Sequence, residues 1–553
     1  MILKTFKKNF AIVYSAELEG INAKLIEVET DINVGIHAFN IVGLADRALN
    51  EAKERVNSAL KNSGVKPPNR ENRKITINLA PADIKKTGSQ YDLAIAIGYL
   101  AATKQISFAE INKKEIAIDA TNENQINDCD ANALFEDKIF LGELALDGRL
   151  RGVNGALNIA QMAAERGFSY LFLPRENAAE ASVIKSINVI PIDNLQEAIS
   201  ILENKKELQS FANNSLTGKT PDNNQGTIAK YSISKRHLPS TPNFSEIKGQ
   251  AAAKRALMIA AAGGHNILMT GPPGVGKSFL AHALSGILPP LTLDESIEVT
   301  KIWSAAGLQP GGLIRERPFR APHQTISTIA LIGGGQEPRP GEISLAHRGI
   351  LFMDEIPEFR NETLEALRQP LEAGTITVSR AKTTLIFPAR FTLVAAMNPC
   401  PCGYYGDVEK DCKCSAYDVI RYQRKISGPF LDRIDLQLKV GRVGISTLRA
   451  DKIGGENANI GEIVTEARMA QRERFNGSFK TNSEMSSRET HEIIHLDAAA
   501  EKLVKTFDEN HISPRSYYRL LKVAQTIADI EKSPRVTEDH LAEAFSYRIR
   551  MAE

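Results

Sequence analysis

The stretch with the clearest chemical meaning is a glycine-rich octapeptide, Gly271-Pro-Pro-Gly-Val-Gly-Lys277-Ser278. It fits the phosphate-binding loop pattern G-x-x-x-x-G-K-[ST] at every fixed position. Glycines let backbone N–H groups approach phosphate oxygens, and the N-terminus of the following helix adds partial positive charge. We therefore predict an ATP site in which Lys277 reaches the β- and γ-phosphates and Ser278 binds Mg²⁺. The residues predicted to bind this cofactor are Gly271, Pro272, Pro273, Gly274, Val275, Gly276, Lys277 and Ser278.

Two acidic residues follow a run of four apolar residues, Ile350-Leu-Phe-Met353. Such a run predicts a buried parallel strand, and ligands bind at the carboxyl ends of parallel strands. We expect Asp354 to hold Mg²⁺, directly or through its water, and Glu355 to polarise the attacking water. The alternative is a core strand with two acidic residues at the start of a helix.

A third apolar segment, Thr392 to Met397, ends in Asn398-Pro399. Asn398 could position the water or sense the γ-phosphate, although an Asn before Pro is usually only a turn residue. The order of the three segments along the chain favours the functional role. The predicted catalytic residues are Lys277, Glu355, Asn398, Arg433 and Arg515.

The two arginines in this set are candidates for sensing phosphate from outside the loop. Arg433 lies between two acids in Asp432-Arg-Ile-Asp435. It forms either a structural ion pair or an arginine finger that reaches the ATP of a neighbouring subunit. Arg515 is the candidate for a second phosphate-sensing arginine, with Arg519 as the substitute. An ordinary solvated helix face is the alternative for this segment.

Four of the five cysteines form two close pairs, Cys400-Pro-Cys402 and Cys412-Lys-Cys414. Four thiolates over so short a stretch can close a tetrahedral zinc site, although C-x-C is tighter than the common C-x₂₋₄-C spacing. Free thiols and a redox switch are the alternatives. Disulfides would need an oxidising compartment, and nothing in the sequence suggests export.

The elements that must position these residues follow from shifts in composition along 553 residues. We predict an α/β multidomain protein whose core alternates helix and strand, as a parallel sheet requires. The Asn-, Ser-, Thr-, Gly- and Pro-rich stretch after the first domain predicts a linker. The predicted segments are a first domain over 1–205, a linker over 206–242, the nucleotide-binding core over 243–445, a spacer over 446–462 and a helical domain over 463–553.

Composition and charge exclude several classes of protein. Hydrophobic residues make up 42% and charged residues 24%, which is a globular balance. No run of 18 apolar residues predicts a membrane span, and we interpret the N-terminus as a strand rather than a signal peptide, so a cytoplasmic protein is expected. The net charge is only +2, and residues 243–462 carry 25 basic and 22 acidic side chains. Any nucleic-acid binding must therefore come from a few basic loops repeated around an oligomer.

The nucleotide motifs together are those of an AAA+ ATPase, and the surrounding segments narrow the resemblance. Phe319-Arg-Ala-Pro-His323, Gly333 to His347, Val378 to Lys382 and Phe387 to Phe391 resemble the magnesium-chelatase branch of these proteins. Along nearly its whole length the chain resembles the YifB/ComM family. The resemblance implies a Lon-protease-like N-terminal domain of the ribosomal-S5 type, an AAA+ core, a helical C-terminal lid of the magnesium-chelatase type and a hexameric ring.

A member of this family is a DNA helicase that drives branch migration of recombination intermediates during natural transformation. The resemblance therefore implies an ATP-driven DNA translocase, whose pore loops must grip backbone phosphates. The candidate DNA contacts are Arg339, Arg380 and Lys382. Ordinary exposed charge on a β-turn is the alternative for these residues. A second candidate is the basic patch of Arg315, Arg317 and Arg320 around Pro318.

The N-terminal segments Phe140 to Gly148 and Phe172 to Asn177 look like the proteolytic domain of Lon, which needs a Ser nucleophile and a Lys base. The alignment puts Gln90 and Ile159 at those positions, so peptidase activity is disfavoured. Residues 107–138 form an acidic insertion that contains Cys129, and a surface excursion is expected. Two further alternatives are a motor subunit of a magnesium chelatase and an ATP-dependent protein remodeller with no DNA role.

Overall fold

The computed structural model of this protein describes residues 9–43, 47–70, 72–106, 135–204, 244–308, 312–335, 338–379, 384–444, 459–509 and 513–548. The chain divides into two compact units, one of Met1–Lys235 with Thr300–Leu313 and one of Arg236–Val299 with Ile314–Glu553. The predicted linker, residues 446–458 of the spacer and residues 107–134 of the acidic insertion lie outside the described residues.

The first unit is built on a mixed sheet with the strand order β3-β4-β2-β1-β5-β8-β9. Its strands are β1 (Phe10–Glu19), β2 (Asn22–Val34), β3 (Ala38–Val42), β4 (Arg73–Ala80), β5 (Lys138–Phe140), β6 (Glu143–Leu144), β7 (Leu150–Arg151), β8 (Tyr170–Pro174) and β9 (Asn188–Ile192). Its helices are α1 (Arg47–Asn62), α2 (Asp92–Ala102), α3 (Ala156–Glu165), α4 (Arg175–Ala181) and α5 (Leu195–Glu203).

Helices cover both faces of this sheet, because its strands carry apolar residues on both sides. One core joins α1, α2 and α5 to β1, β2 and β4, and a second joins α3 to β1, β5 and β8. Helix α2 is buried along its whole length, which explains its apolar sequence DLAIAIGYLAA. Its buried Asp92 is compensated by Arg55, whose Nε lies 2.6 Å from a carboxylate oxygen. Burial nevertheless raises the pKa of Asp92 to about 6.

The second unit contains a parallel sheet with the strand order β11-β14-β17-β10-β18 and a set of C-terminal helices. Its strands are β10 (Ile267–Thr270), β11 (Phe319–Arg320), β12 (Gly333–Gly334), β13 (Arg339–Pro340), β14 (Ile350–Met353), β15 (Thr375–Ser379), β16 (Thr384–Pro388), β17 (Thr392–Met397) and β18 (Leu436–Lys439). Strands β12 and β13, and strands β15 and β16, form two short antiparallel hairpins.

The helices of the second unit precede, connect and follow these strands. Those up to β18 are α6 (Ala251–Gly263), α7 (Lys277–Ser285), α8 (Leu293–Ala305), α9 (Thr328–Ile332), α10 (Glu342–Leu345), α11 (Asn361–Ala366), α12 (Pro370–Ala373), α13 (Ala416–Gln423) and α14 (Gly428–Leu431). Of α8, the part from Thr300 onward is assigned to the first unit. Those after it are α15 (Ile460–Arg474), α16 (Ser487–Ile493), α17 (Ala498–Glu509), α18 (Pro514–Ile530) and α19 (Glu538–Ser546).

The parallel sheet confirms the prediction made from the apolar runs of the core segment. Strands β14 and β17 are buried at every residue, as expected where helices cover both faces of a parallel sheet. Helix α6 packs against α15 and α18, so the C-terminal helices share one hydrophobic core with the sheet. Among the described residues, no helix is long and apolar enough to cross a membrane.

Candidate functional site

The predicted nucleotide residues meet at one edge of the parallel sheet, here called the carboxyl edge. Gly271, Asp354 and Asn398 each follow the last residue of a strand, namely of β10, β14 and β17. The three strands are neighbours in parallel register, with Thr270 opposite Met397 and Met353 opposite Ala395. The structure therefore brings together side chains that lie more than a hundred positions apart in the sequence.

The loop between β10 and α7 has the backbone that its glycines permit. Gly274 and Gly276 have φ values of +81° and +90°, in the left-handed region that favours glycine. A Cβ at either position would meet no atom within 4 Å, so this side of the loop is open. Gly271 is needed for a different reason, since a Cβ there would lie 2.3 Å from the carbonyl oxygen of Val440.

Lys277 lies inside this loop, and its side chain is held by three acceptors. Its Nζ donates to the carbonyl oxygens of Gly271 and Pro272, at 2.6 and 3.1 Å, and to Oδ1 of Asn398 at 2.9 Å. Burial lowers the pKa of Lys277. An ammonium whose hydrogen-bond acceptors are all neutral oxygens can gain a phosphate as its direct counter-charge, so this arrangement fits a phosphate ligand.

Ser278 and the acidic pair lie beside the lysine and remain exposed. Ser278 Oγ donates to Oδ2 of Asp354 at 2.8 Å, and the backbone N–H of Glu355 donates to Oδ1 of Asp354 at 2.9 Å. A hydroxyl next to a carboxylate is a ligand set that suits Mg²⁺. Glu355 has φ +49°, and a non-glycine residue in this region costs about 1–3 kcal/mol, so the surrounding fold fixes its position.

Arg433 lies at the opposite edge of the sheet, here called the amino edge. Its carbonyl accepts a hydrogen bond from Nδ2 of Asn266, the residue before β10. Its side chain is buried and donates to Oε2 of Glu372 at 2.6 Å and to the carbonyl oxygens of Arg368 and Pro429. A four-residue strand spans roughly 13 Å, so Arg433 cannot reach a phosphate bound at the loop of its own chain.

Arg515 lies near Arg433, although 82 positions separate them in the sequence. Its guanidinium donates to Oε1 of Glu372 at 2.8 Å, so one carboxylate binds both predicted sensing arginines. Arg519, one turn further along α18, instead pairs with the buried Asp435 and donates to the carbonyl oxygen of Arg433. Sequence reasoning missed Glu372, because nothing local distinguishes it from other exposed glutamates.

A cavity of about 640 Å³ opens at the amino edge. Its lining carries seven basic side chains, Arg317, Arg348, Arg390, Arg468, Arg515, Arg519 and Lys522. Its acidic side chains are Glu295, Glu372, Asp435 and Glu484. Burial lowers the pKa of Lys522 to about 8 and that of Arg468 to about 9. The amino edge therefore presents an excess of positive charge that the near-zero net charge of the chain conceals.

The basic residues proposed for DNA contact have different surroundings. Arg339 is exposed on the hairpin of β12 and β13, while Arg380 and Lys382 lie outside the described residues. In the second candidate patch, Arg317 pairs with Glu295 and Arg320 with Glu342, at 3.2 and 2.6 Å. Only Arg315 of that patch is exposed. The idea of a free basic patch around Pro318 is therefore wrong, because two of its three arginines serve internal ion pairs.

The four cysteines of the core segment converge at one point. The Sγ–Sγ distances among Cys400, Cys402 and Cys412 are 3.4, 3.6 and 3.6 Å, and all four sulfurs, with Cys414, lie within 4.8 Å of one another. None of the four forms a disulfide, since a disulfide needs a separation of about 2.05 Å. The structure thus brings the two C-x-C pairs together, as the zinc prediction requires.

The segment Cys400–Cys414, here called the cysteine loop, also touches the phosphate loop. A Cβ on Gly403 would lie 2.7 Å from Cδ of Pro273, so the backbone at Gly403 packs closely against the ring of Pro273. Arg442, after β18, anchors the same loop through Asp407 and Glu409, each at 3.0 Å. Sequence reasoning gave the loop a position after Asn398 but could not give its contact with Pro273.

The two positions aligned with the Lon catalytic pair are occupied by side chains that make only structural contacts in the first unit. Gln90 donates to Oε2 of Glu17 at 3.0 Å, and Ile159 is buried in the core around α3. Neither side chain offers a nucleophile or a base.

Comparison with known proteins gives consistent matches along the chain. The family profiles "Magnesium chelatase, subunit ChlI", "Subunit ChlI of Mg-chelatase" and "Magnesium chelatase, subunit ChlI C-terminal" match residues 243–448, 28–119 with 115–177, and 454–548. Competence protein ComM of Haemophilus influenzae is 39% identical over 543 residues, which is 98% of this chain and 97% of ComM. YifB of Escherichia coli is 39% identical over the same shares of both chains.

A more distant match covers a much smaller part of the chain. The magnesium-chelatase 38 kDa subunit of Rhodobacter capsulatus is 27% identical over 175 residues, 28% of this chain and 50% of the subunit. The identity to ComM and YifB extends over nearly the whole chain, whereas that to the chelatase subunit covers 28% of it. The chain therefore belongs to the YifB/ComM family of magnesium-chelatase-like proteins, with an ATPase core of the AAA+ type.

Proposed function

We propose that this protein is an ATP-hydrolysing ring motor that moves DNA and promotes branch migration of recombination intermediates. The observation that carries the ATPase part is the convergence of Lys277, Asn398, Ser278 and Asp354 at the carboxyl edge. The DNA part is supported by full-length similarity to a relative named as a competence protein, since competence concerns the uptake of DNA. The expected cofactors are ATP and Mg²⁺.

The residues of the carboxyl edge divide the chemistry among them. Lys277 neutralises charge on the β- and γ-phosphates, and the loop N–H groups bind the remaining phosphate oxygens. Ser278 and Asp354 would hold Mg²⁺, which would supply charge neutralisation to the phosphates. Glu355 polarises the attacking water, and Asn398, now an acceptor for Lys277, orients the lysine or the water.

Arg433 and Arg515 act on the nucleotide of a neighbouring subunit. Both lie at the amino edge, a strand length from their own phosphate loop, and both are close to the basic cavity. Forming a ring brings the amino edge of one subunit against the carboxyl edge of the next. The Glu372 contacts of the single chain then give way to contacts with phosphate, so that assembly switches on hydrolysis. We infer a hexamer, in line with the family.

The remaining parts of the proposal concern the domains. The segment 1–205 forms a Lon-like domain without peptidase activity, supported by the surroundings of Gln90 and Ile159. The segment 463–553 forms a helical lid that carries Arg515. DNA is gripped by basic loops, among them the one with Arg339. A structural zinc ion bound by Cys400, Cys402, Cys412 and Cys414 completes the set of cofactors, and the protein acts in the cytoplasm.

The test measures ATP hydrolysis with and without forked DNA across a salt series. We expect DNA to stimulate hydrolysis, and stimulation to weaken steeply with salt because phosphate contacts release counterions. Glu355→Gln should bind ATP but lose hydrolysis by at least about a hundredfold and lose strand displacement. Its matched control is Glu358→Gln, a change of the same size at an exposed glutamate that pairs with Lys425.

Each result separates one part of the proposal from another. Undiminished hydrolysis by Glu355→Gln refutes the role of that carboxylate. If the protein hydrolyses ATP but no DNA stimulates hydrolysis at any salt concentration, the DNA role is contradicted and a protein remodeller is favoured.

A further inference from the structure

The cysteine loop has the geometry of a closed metal site rather than of four independent thiols. A tetrahedral ion with about 2.3 Å bonds to sulfur requires sulfurs roughly 3.8 Å apart. The separations of 3.4, 3.6 and 3.6 Å among three of the sulfurs lie close to that value. Four thiols packed this closely without an ion would leave their lone pairs facing one another.

Hydrogen bonds around the sulfurs give a second, independent indication. The backbone N–H of Tyr405 donates to Sγ of Cys400 at 3.3 Å, and that of Cys414 donates to Sγ of Cys412 at 3.4 Å. Neutral thiols need no such donors, whereas metal-bound thiolates are commonly stabilised by backbone N–H groups. Gly403, with φ +86°, makes the turn that lets the first pair face the second.

The ligand type selects the metal and its role. Four soft thiolates in a tetrahedron favour Zn²⁺, with iron as the competing ion. All four positions of the tetrahedron are taken by protein ligands, so the site has no place for water or substrate and can only be structural. Apart from its cysteines, the cysteine loop consists mostly of glycines, tyrosines and charged residues, which give it little hydrophobic core of its own, and a metal contributes most to folding in such a segment.

The loop held by this metal contacts the ATP site in two places. Asn398, which accepts from Lys277, lies two residues before Cys400. Gly403 lies between the cysteine pairs and packs against Pro273 of the phosphate loop. Holding the cysteine loop in place therefore holds Gly403 against Pro273 and also positions Asn398, the acceptor of Lys277.

We propose that Cys400, Cys402, Cys412 and Cys414 bind one structural Zn²⁺ ion, and that this ion holds the phosphate loop in its nucleotide-binding shape. The second half of the proposal rests on the proposed ATPase function, while the first half does not. The proposal predicts that a chain without zinc keeps the rest of its fold but binds nucleotide more weakly.

The experiment uses the full-length protein and reads metal content separately from nucleotide binding. Elemental analysis should find one zinc per chain. Removing zinc with a chelator should weaken binding of a fluorescent ATP analogue roughly tenfold, which corresponds to about 1.4 kcal/mol, and added zinc should restore it. Cys414→His should keep zinc because histidine is also a zinc ligand, whereas Cys414→Ser should lose it. Val408→Ala, at a fully exposed position of the same loop, is the control and should change neither reading.

The outcomes are distinguishable even if a cysteine variant misfolds, because chelation tests the wild-type chain. Iron, or no metal, in the purified protein overturns the site. Zinc whose removal leaves nucleotide affinity unchanged overturns the coupling to the phosphate loop. A protein that contains zinc but never binds ATP refutes the proposed function instead, and leaves the metal site standing.

Discussion

The two edges of the parallel sheet differ in how their functional side chains are held. At the carboxyl edge, Lys277 donates to neutral oxygens and Asp354 accepts from a hydroxyl and an N–H group, so neither is hydrogen-bonded to a group of opposite charge. At the amino edge, Arg433 and Arg515 share the carboxylate of Glu372, so their charge is already countered. The first arrangement suits a ligand that binds one chain, and the second suits a partner that must displace an existing contact.

This difference offers a physical reason for dependence on assembly. The pair of Arg515 with Glu372 is partly exposed and contributes only about 0–1 kcal/mol, so a neighbour's phosphate can replace it at little cost. Arg433 is buried and would also have to leave the carbonyl oxygens of Arg368 and Pro429. Under the proposed function, we expect a single chain with its arginines so engaged to be a weak ATPase. Nearly all of the hydrolysis rate would then depend on the contact between subunits.

The largest expected effect comes from inactivating the phosphate loop in one chain and the sensing arginine in another. Lys277→Ala alone and Arg433→Ala alone should each lower ATP hydrolysis by about 10³-fold, since an arginine finger contributes about 10³ to 10⁵ in rate. Mixing the two variants should restore part of the activity, because some junctions then pair an intact loop with an intact arginine. The measurement is ATP hydrolysis against the mixing ratio.

The control for that experiment is a mixture of Arg433→Ala with the double variant of both residues. This mixture contains no intact junction, so no recovery is expected. No recovery in the first mixture would contradict action of Arg433 across the subunit contact, and recovery in the control would mean that hydrolysis does not depend on Arg433 at all.

An intermediate effect is expected from changing the contact between the cysteine loop and the phosphate loop, which joins Gly403 to Pro273. In Gly403→Ala the new methyl would meet Pro273 at 2.7 Å, in addition to the strain of φ +86°. Nucleotide affinity should fall several-fold, and the free energy of unfolding by about 1–2 kcal/mol from the backbone alone. Gly406→Ala is the matched control, because φ is +73° there but no atom lies within 4 Å. Equal loss of affinity in both variants would mean that the contact with Pro273 is irrelevant to binding.

The smallest expected effect is a pH-dependent change in the free energy of unfolding that comes from Glu298 at the amino edge. A hydrogen bond from His347, with the charge of Arg348, lowers the pKa of Glu298 to about 2 from an ordinary value of 4.5. A carboxyl with a depressed pKa stabilises the fold fully above its unfolded pKa, and this stabilisation is lost as pH falls from about 4.5 through 2. The side chain is 45% exposed, so the contribution is below about 1 kcal/mol.

Glu298→Gln should therefore be less stable than the wild type at pH 7, and the two should converge as pH falls towards 2. Urea unfolding at a series of pH values measures the difference. Glu316→Gln, at an exposed position, should show no such convergence. A constant difference for Glu298→Gln across the series would contradict the ion-pair role.

Much of the carboxyl edge could be predicted because its signals are local. The phosphate loop needs glycines and a lysine at fixed spacing, and the strands that carry Asp354 and Asn398 are apolar at every residue. Parallel strands end at a common edge, so segments recognised separately could be expected to meet. The cysteine pairs were likewise visible as a cluster, since short spacing limits where their sulfurs can lie.

The amino edge could not be predicted in the same way, because its contacts join distant positions. Arg515 and Glu372 are 143 residues apart, and neither has a neighbouring residue that marks it as a partner. Arg317 is a second example of a contact between distant positions. The sequence suggested that it belongs to a basic patch, whereas in the fold it pairs with Glu295. Whether a charge is free or paired depends on packing, which local spacing does not encode.

The sequence by itself determined which residues can do chemistry at the nucleotide and metal sites, because those roles require fixed residue types at fixed short spacings. Only the tertiary structure decided which charges are available and which edge each arginine occupies. It also decided that the cysteine loop rests on the phosphate loop through Gly403 and Pro273. The physical reason is that motif chemistry is local along the chain, whereas electrostatic pairing and contact between loops depend on how distant segments pack.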